Sequence, residues 1–327
     1  MNHPYDILAI LELYIFYVPF YKLLNKSQFH RNIKKYFDHK KLSLAYTHII
    51  KSRPYYKDIK KITDIEYKAF SQNGEDGIID YLLFTLGIEK PKFVEIGVGD
   101  YSECNTRLLY HRTASEGLII DCLNNFEKEV KKNVKIWKGG LNIVESYIND
   151  KNILSILSEK GFIKNIDLFS LDIDGIDYWV LEKLPNNFSK IAILEYNAIF
   201  GPELEVTVPN IERFNRTKYH YSNLCFGLSL RALINLMVKK DFIFVGTNLS
   251  SCNAFFVSKD QIHKMNLIIP DNINLNSHTN SFIRESRTKK GLLSYLSGKN
   301  RIEAIKDCEV INLKDDSKKI SKLKNLI

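Results

Sequence analysis

The stretch IDLFSLDIDGIDYW, residues 166–179, decides the fold, because an apolar run passes directly into an acidic turn and then into a helical pattern. Similar apolar runs recur along the chain, at KFVEIG (92–97), EGLIID (116–121), VKIWKG (134–139) and KIAILEYN (190–197). Amphipathic segments alternate with these runs, at 102–112, 124–132, 143–160 and 176–184. Apolar strands that alternate with helices are typical of crossover units in a buried parallel sheet.

The region after these runs predicts a different connection. Residues 227–242 have the pattern of a helix, and FIFVGTN (242–248) and NAFFVSK (253–259) follow as two strands joined by a short turn. A hairpin of this kind makes one strand antiparallel to its neighbours. We therefore predict an α/β, Rossmann-like, doubly wound sheet of about seven mostly parallel strands with a terminal antiparallel hairpin. In such sheets, ligands bind outside the carboxyl ends of the strands.

Basic residues are concentrated at the two ends of the chain. The net charge is +9 over 327 residues, with +8 in residues 1–61, +6 in residues 284–327 and −5 between them. We predict three regions: a basic, partly apolar, helical N-terminal extension (1–61), one catalytic domain (62–260) and a basic C-terminal extension (261–327). A mildly acidic middle argues against a general nucleic-acid binder.

The apolar run ILAILELYIFYVPFY, residues 7–21, contains Glu12 and Pro19 and is shorter than the roughly 20 apolar residues that a membrane span needs. Two interpretations stay open: a helix packed on the body of the protein or on a second copy, and a helix lying at an anionic membrane surface.

Five scattered cysteines without paired spacing indicate reduced thiols in the cytoplasm. The apolar run leaves one alternative location, in which the protein contacts the inner face of the membrane peripherally.

A glycine turn follows the first predicted strand. Glu95, Gly97 and Gly99 lie at its end, and Asp121 ends the next strand. Glycines after a strand let a ligand approach the backbone, and an acid at the end of the following strand, about twenty residues further on, can bind a ribose. The pattern predicts a site for an adenosine-containing cofactor.

The acidic turn contains Asp172, Asp174 and Asp177. A calcium-binding EF-hand loop would need a glycine at its sixth position and a glutamate at its twelfth. Counted from Asp172, the glycine is at the fourth position and Lys183 at the twelfth, which excludes that motif. The sequence Asp172-Ile-Asp174 leaves open a metal-dependent glycosyltransferase.

The segment 199–226 is too long for a simple connection between two elements. It carries Arg213, Arg216 and His220 among aromatic residues, at the end of the sheet where an acceptor would bind. Arginine and aromatic side chains suit a phosphorylated or acidic sugar, so we predict that Arg213 and Arg216 bind the acceptor. His220 is a candidate general base.

Glu95, Gly97 and Gly99 match the first motif of Rossmann-like S-adenosylmethionine (SAM) methyltransferases. LDIDGIDYWVLEKL (171–184), ILEYNA (193–198) and Ser71-Gln72 resemble segments of FkbM-type methyltransferases, a likeness that covers roughly residues 71–258. The resemblance implies a SAM-dependent O-methyltransferase that acts on a sugar or glycan hydroxyl in cell-surface polysaccharide synthesis. It also implies that SAM is bound by Gln72, Glu95, Gly97, Gly99, Asp121 and Asp172.

A hydroxyl group resists deprotonation near neutral pH, so a methyl transfer to it needs a base or a metal ion. Residues two apart on an extended strand share a face, which predicts that Asp172 and Asp174 converge as catalytic groups. Asp172, Glu195 and Asn197 form an all-oxygen set that suits Mg²⁺, and Glu195 and Asn197 are also predicted to bind the acceptor. A non-catalytic Rossmann-like binding module is the remaining alternative.

Overall fold

The computed structural model describes residues 26–136, 139–271, 274–281, 285–314 and 318–327. The apolar run at 7–21, and with it both interpretations of that run, lies outside these residues. The chain divides into two compact units, Met1–Lys51 and Ser52–Ile327, and the helix α1 (Lys26–Ser52) accounts for the described part of the first. Among the described residues, no helix combines the length and apolar character that crossing a membrane requires.

The second unit is built on two sheets. Its strands are, in chain order, β1 (Phe93–Ile96), β2 (Gly117–Asp121), β3 (Leu141–Glu145), β4 (Ile166–Leu171), β5 (Ser189–Glu195), β6 (Val206–Thr207), β7 (Phe242–Thr247), β8 (Asn253–Ser258), β9 (Glu309–Asn312) and β10 (Lys319–Lys322). The large sheet has the order β3-β2-β1-β4-β5-β8-β7, and the small one has the order β10-β9-β6. Strands β1 to β5 pair in parallel, whereas β8 is antiparallel to both β5 and β7.

Helices connect these strands, and both faces of the large sheet are covered. The helices are α2 (Glu75–Thr85), α3 (Arg107–Thr113), α4 (Phe126–Asn133), α5 (Ile153–Glu159), α6 (Asp177–Lys183), α7 (Arg216–Tyr219), α8 (Leu230–Lys239) and α9 (Lys299–Ile305). Successive residues of a strand point to opposite faces. Accordingly, Phe93 packs into one buried apolar cluster, while Val94 and Ile96 pack into the other.

The predicted doubly wound sheet with its terminal hairpin is confirmed. Residues 137 and 138 of the strand predicted at 134–139 lie outside the described residues; residues 134–136 and 139 form no strand, and the third strand is β3, further along the chain. β3 is an edge strand whose residues are mostly half-buried, so it lacks the continuous apolar run of a central strand. The helical segment predicted at 143–160 is wrong over its first part, since α5 begins only at Ile153.

The small antiparallel sheet was not predicted. Its strand β6 has two residues and lies within the segment 199–226, while β9 and β10 lie in the C-terminal region. Residues 261–327 belong to the same compact unit as the large sheet. The domain boundaries at residues 61 and 260 stay a prediction.

Candidate active site

A cavity of about 540 Å³ lies at the carboxyl ends of the parallel strands. At this edge β2 and β4 flank β1, and the strand order reverses there, which is the place where doubly wound sheets bind ligands. The lining includes most of the site residues expected from the sequence, namely Gln72, Gly97, Gly99, Asp121, Asp172, Asp174, Glu195, Asn197 and Arg216. Glu95, Arg213 and His220 lie outside the lining that the described residues form.

The glycine turn and Asp121 together form one end of the cavity. The Gly99 amide donates a 2.7 Å hydrogen bond to Oδ2 of Asp121, and the Leu123 amide donates one of 2.8 Å to Oδ1. Two backbone donors therefore fix the carboxylate, and each oxygen keeps a lone pair for a ligand. Gly99 is exposed, and a Cβ atom there would meet nothing within 4 Å, so a ligand can approach the main chain closely.

Gly97 has a different physical requirement. Its φ angle is 84°, and a Cβ atom at this position would lie 1.5 Å from the carbonyl oxygen of Asp172. The Asp172 amide donates a 3.0 Å hydrogen bond to the carbonyl of Ile96, so the turns after β1 and β4 touch through their backbones. Only glycine allows this approach without displacing one of the turns.

Glu95 does not reach the cavity, although the sequence predicted that it binds the cofactor. Its carboxylate is buried and accepts hydrogen bonds from the Asn105 amide at 2.7 Å and from the amide and hydroxyl of Thr106 at 2.9 and 2.5 Å. Burial raises the pKa of Glu95 to about 7. Glu95 thus holds the segment that leads into α3, and any effect on a ligand is indirect.

Three carboxylates meet at the other end of the cavity. Oxygen atoms of Asp172, Asp174 and Glu195 all lie within 4.8 Å of one another. Burial raises the pKa of Asp172 to about 8, and the charge of Asp174 adds to the shift. Burial, followed by the charge of Asp172, raises the pKa of Glu195 well above its usual range. Neighbouring carboxylates disfavour each other's ionised form, so this pair retains protons that ordinary carboxylates lose.

The geometry of the acidic turn differs from the extended strand end that was predicted. β4 ends at Leu171, and Asp174 has a left-handed backbone with a φ angle of 52°. Asp177 holds the turn, because its carboxylate accepts the amides of Ile173 at 3.1 Å and Gly175 at 3.0 Å. Asp172 and Asp174 do converge, but the turn brings them together and not a shared strand face.

Arg216 reaches the carboxylates from α7, on the long segment 199–226. Its guanidinium lies 2.5 Å from the Asp174 carboxylate and 4.0 Å from that of Glu285. The segment is tied to the acidic turn where it ends, since the Gly227 amide donates a 3.0 Å hydrogen bond to the carbonyl of Gly175. Arg216 therefore lies at the end of the sheet where an acceptor was predicted, but its charge is already paired with acids.

Asn197 lines the cavity with a side chain that is engaged in holding the loop. Its Nδ2 donates to the carbonyls of Leu224 at 2.9 Å and Phe226 at 3.1 Å, and its Oδ1 accepts the amide of Ile199 at 3.1 Å. Asp174, which the predicted metal set did not include, lies with Asp172 and Glu195 in the cluster of carboxylates, while the Asn197 oxygen is engaged by the Ile199 amide.

Arg213 and His220 do not line the cavity. Arg213 is exposed and has a φ angle of 53°. The Nδ1 of His220 shares a 2.7 Å hydrogen bond with the hydroxyl of Ser222, and burial together with Lys289 lowers the pKa of the imidazole. The geometry gives neither residue a contact with a ligand in the cavity, and it does not support His220 as the general base.

Several lining residues carried no recognisable sequence signal: Tyr147, Cys252, Asn253, Ser281, Glu285 and Arg301. They come from the loop after β3, from the β7–β8 hairpin and from the C-terminal region. A polar residue in a loop has no periodicity, and only the tertiary fold brings these side chains to the cavity. A pairing partner for Arg216 could have been sought among the acids of the C-terminal region, although nothing singles out Glu285 there.

Comparison with known proteins finds a distant likeness in fold. No protein-family profile and no curated protein sequence matches the chain. Among solved structures, the chain is similar to the N-terminal domain of EvdMO1 with SAH bound, at 9% identity and a TM-score of 0.39, over 58% of this chain and 82% of that one.

Two further solved structures are similar at the same level. An O-methyltransferase family protein from Burkholderia thailandensis matches at 8% identity and a TM-score of 0.35, over 67% of this chain and 59% of that one. Human N-acetylserotonin methyltransferase in complex with SAM matches at 12% identity and a TM-score of 0.31, over 54% and 48%. The chain thus spans about half of the human enzyme. Likeness this distant carries no argument about activity, which has to come from the site itself.

Proposed function

We propose that the chain is a SAM-dependent O-methyltransferase that acts on a hydroxyl group of a sugar or glycan. One observation carries the proposal: a single cavity joins a nucleoside-type end, with Gly99 and Asp121, to a pair of carboxylates with raised pKa, Asp172 and Glu195. The first end suits an adenosine-containing cofactor, and the second suits removal of a proton from an acceptor.

The residues at the first end fit SAM. Asp121 has free lone pairs at the end of β2, where a ribose hydroxyl can donate to it, and Gly99 offers an open stretch of main chain beside it. Gln72, Gly97, Gly99 and Asp121 would hold the cofactor, all of them on the cavity wall. When bound, SAM supplies a methyl group activated by a sulfonium centre.

Proton removal from the acceptor is assigned to Asp172. A carboxylate with a pKa of about 8 is a stronger base than an ordinary one, and its proton affinity is matched to neutral pH. Glu195 helps to keep the pKa of Asp172 high, because the two carboxyl groups are close together and their negative charges would repel each other. The Oε2 atom of Glu195 is buried without a hydrogen-bond partner in the described structure, which adds to the cost of ionising this carboxyl group.

A divalent cation is the alternative means of activating the hydroxyl. Asp172, Asp174 and Glu195 would hold it, and an all-oxygen set of this kind fits Mg²⁺. Arg216 is already paired with Asp174, so the cation would have to displace the guanidinium from that carboxylate. We therefore favour proton transfer to Asp172 and treat Mg²⁺ as the competing proposal.

The acceptor end favours a neutral polyol over an anion. Asp172, Asp174, Glu195 and Glu285 line it, and Arg216 is already paired with two of these acids. Hydroxyl groups of a sugar can donate to such carboxyl oxygens, and the two arginines of this lining, Arg216 and Arg301, do not outnumber its acids, so the site offers an anion no surplus of positive charge. Five cysteines without a disulfide agree with a cytoplasmic enzyme that supplies cell-surface polysaccharide synthesis, which is part of the same proposal.

Calorimetric titration of the full chain tests the proposal. SAM and its demethylated product should bind, and Asp121→Asn should weaken both while leaving the fold intact by circular dichroism. UDP-glucose, titrated with and without Mg²⁺, is the matched ligand for the glycosyltransferase alternative that Asp172-Ile-Asp174 leaves open. Metal-dependent binding of UDP-glucose without binding of SAM would overturn the proposal in favour of that enzyme. Binding of neither ligand would favour a non-catalytic module.

A further inference from the structure

A second cavity, of about 490 Å³, lies beside the edge strand β7. Its apolar wall is formed by Ile62, Val245, Leu249, Ile268 and Pro270. Leu249 and Ile268 are 58% and 62% exposed, which leaves large apolar surface in contact with water at the cavity. Exposed apolar surface around a cavity of this size is characteristic of a binding site for an apolar group.

The two cavities lie along the same edge of the large sheet. β8 is antiparallel to both β5 and β7, so β5 and β7 run in the same direction, and both Glu195 and Thr247 lie at carboxyl ends. A hydrogen bond joins the two linings directly. Tyr196 lines the first cavity and donates its hydroxyl to the carbonyl of His278, which lines the second. The Nδ1 of His278 in turn shares a 2.9 Å hydrogen bond with Thr247.

We propose that the second cavity binds an apolar substituent of the acceptor whose hydroxyl group lies in the first cavity. This inference rests on the proposed function and extends it to the substrate class: an amphipathic glycoside, with a polyol head and an alkyl chain. The polyol head suits the carboxylate-lined end of the first cavity, and the alkyl chain suits the apolar wall of the second cavity, which includes Leu249 and Ile268. A free sugar would leave this apolar surface in contact with water, so the alkyl chain should raise the affinity of the protein for the glycoside.

The probe is a series of n-alkyl β-D-glucosides, from methyl to octyl, titrated into the full chain below their micelle-forming concentrations. Affinity should rise roughly fourfold per buried methylene group, until the cavity is filled. Ser277→Trp fills the cavity from an exposed position, and Leu249→Asp makes its mouth polar. Both variants should lower the affinity for octyl glucoside at least tenfold while leaving the affinity for methyl glucoside unchanged. The matched control is Leu292→Asp, at a residue 65% exposed and outside both linings, which should change nothing.

Two results would overturn the inference: equal affinity for methyl and octyl glucoside, or tight binding of octyl glucoside that Ser277→Trp and Leu249→Asp leave intact. Sedimentation velocity adds a third, because a drop in mass on Leu249→Asp would identify the surface as an interface between copies. SAM titration separates this inference from the proposed function. If affinity depends on alkyl length but SAM does not bind, the inference about the second cavity stands and the proposed methyltransferase function fails. If SAM binds but affinity does not depend on alkyl length, the proposed function stands and the inference about the second cavity fails.

Discussion

The two ends of the main cavity are built in different ways. The nucleoside-type end, to which the proposed function assigns the cofactor and which is called the cofactor end below, is made largely of main chain. It consists of the Gly99 amide, the open backbone of the turn, and an Asp121 carboxylate fixed by two backbone donors. The acid end is made of side chains from β5, the acidic turn, α7 and the C-terminal region, represented by Glu195, Asp174, Arg216 and Glu285.

This contrast determines how each end responds to change. A main-chain site depends on backbone conformation, so steric changes should damage it while changes of pH should not. A site of clustered carboxylates depends on ionisation and pairing, so it should respond to pH and to charge substitution. The following four experiments test that division, from the largest expected effect to the smallest.

Gly97→Ala should be the most damaging single change. The added Cβ would overlap the carbonyl oxygen of Asp172, and the φ angle of 84° is strained for alanine, so we expect a loss of roughly 3–5 kcal/mol in the free energy of unfolding. Gly99→Ala is the matched control, because its Cβ points into open space and only its φ angle of 55° is unfavourable, at about 1–2 kcal/mol. Urea unfolding measures both, and equal losses would contradict the main-chain contact.

Asp121→Ala should weaken the binding of SAM by roughly 1.5–3 kcal/mol, a loss of about 10- to 150-fold in affinity, because it removes a charge-assisted hydrogen bond to the ribose. Glu285→Gln, at the opposite end of the same cavity, should leave SAM affinity unchanged. Calorimetry on the folded variants measures both constants. If the two variants weaken SAM equally, the division of the cavity into a cofactor end and an acceptor end is wrong.

The carboxylate pair should make folding stability fall as the pH rises. The pKa of Asp172 is raised to about 8 in the folded protein, above its unfolded value of roughly 4, so its contribution is fully present below pH 4 and lost by the time the pH passes 8. Removing this one group should reduce the slope by up to roughly 1.4 kcal/mol per pH unit. Urea unfolding of the wild type and of Asp172→Asn at pH 5 to 9 measures the difference, and Glu195→Gln should also flatten the dependence. Identical slopes in all three proteins would refute the raised pKa values of this pair.

Arg216→Ala should have the smallest effect on stability, less than about 1 kcal/mol, because its partner Asp174 is half exposed and the pair is screened by water. The same change frees Asp174, so the variant should bind Mn²⁺ more tightly than the wild type does. Arg213→Ala is the control, since Arg213 is exposed and outside both the lining and the carboxylate cluster. Tighter metal binding in both variants would point to a general charge effect and not to the carboxylate cluster.

The sequence predicted the parts of the molecule in which local pattern and structure coincide. Apolar runs gave β1, β2, β4 and β5, and the strand-end positions of Gly99, Asp121 and Asp172 followed from them. β3 was misassigned because an edge strand is half solvated and shows no continuous apolar run. The two-residue strand β6 exists only through its pairing with β9, which no local pattern could indicate.

The acid end was predicted less completely for the same reason. Arg216 was expected at the acceptor end, but its ion pair with Asp174 depends on how a long segment folds back over the acidic turn. Arg213 is only three positions away in a similar composition, yet it lies outside the cavity. Charge and length of the segment predicted an involvement in the site, and only the fold distinguishes which arginine takes part.

The contact between Gly97 and the carbonyl oxygen of Asp172 also has a mechanical consequence. The two turns form one rigid joint, in which the space that a side chain would occupy is filled by the neighbouring peptide. The contact therefore fixes the main chain of Asp172 against the glycine turn, while the Asp172 carboxylate can still move by rotation of its own side chain. A ligand that displaces one turn must displace both, so we expect any adjustment on binding to occur in the other parts of the lining, the segment 199–226 and the C-terminal region.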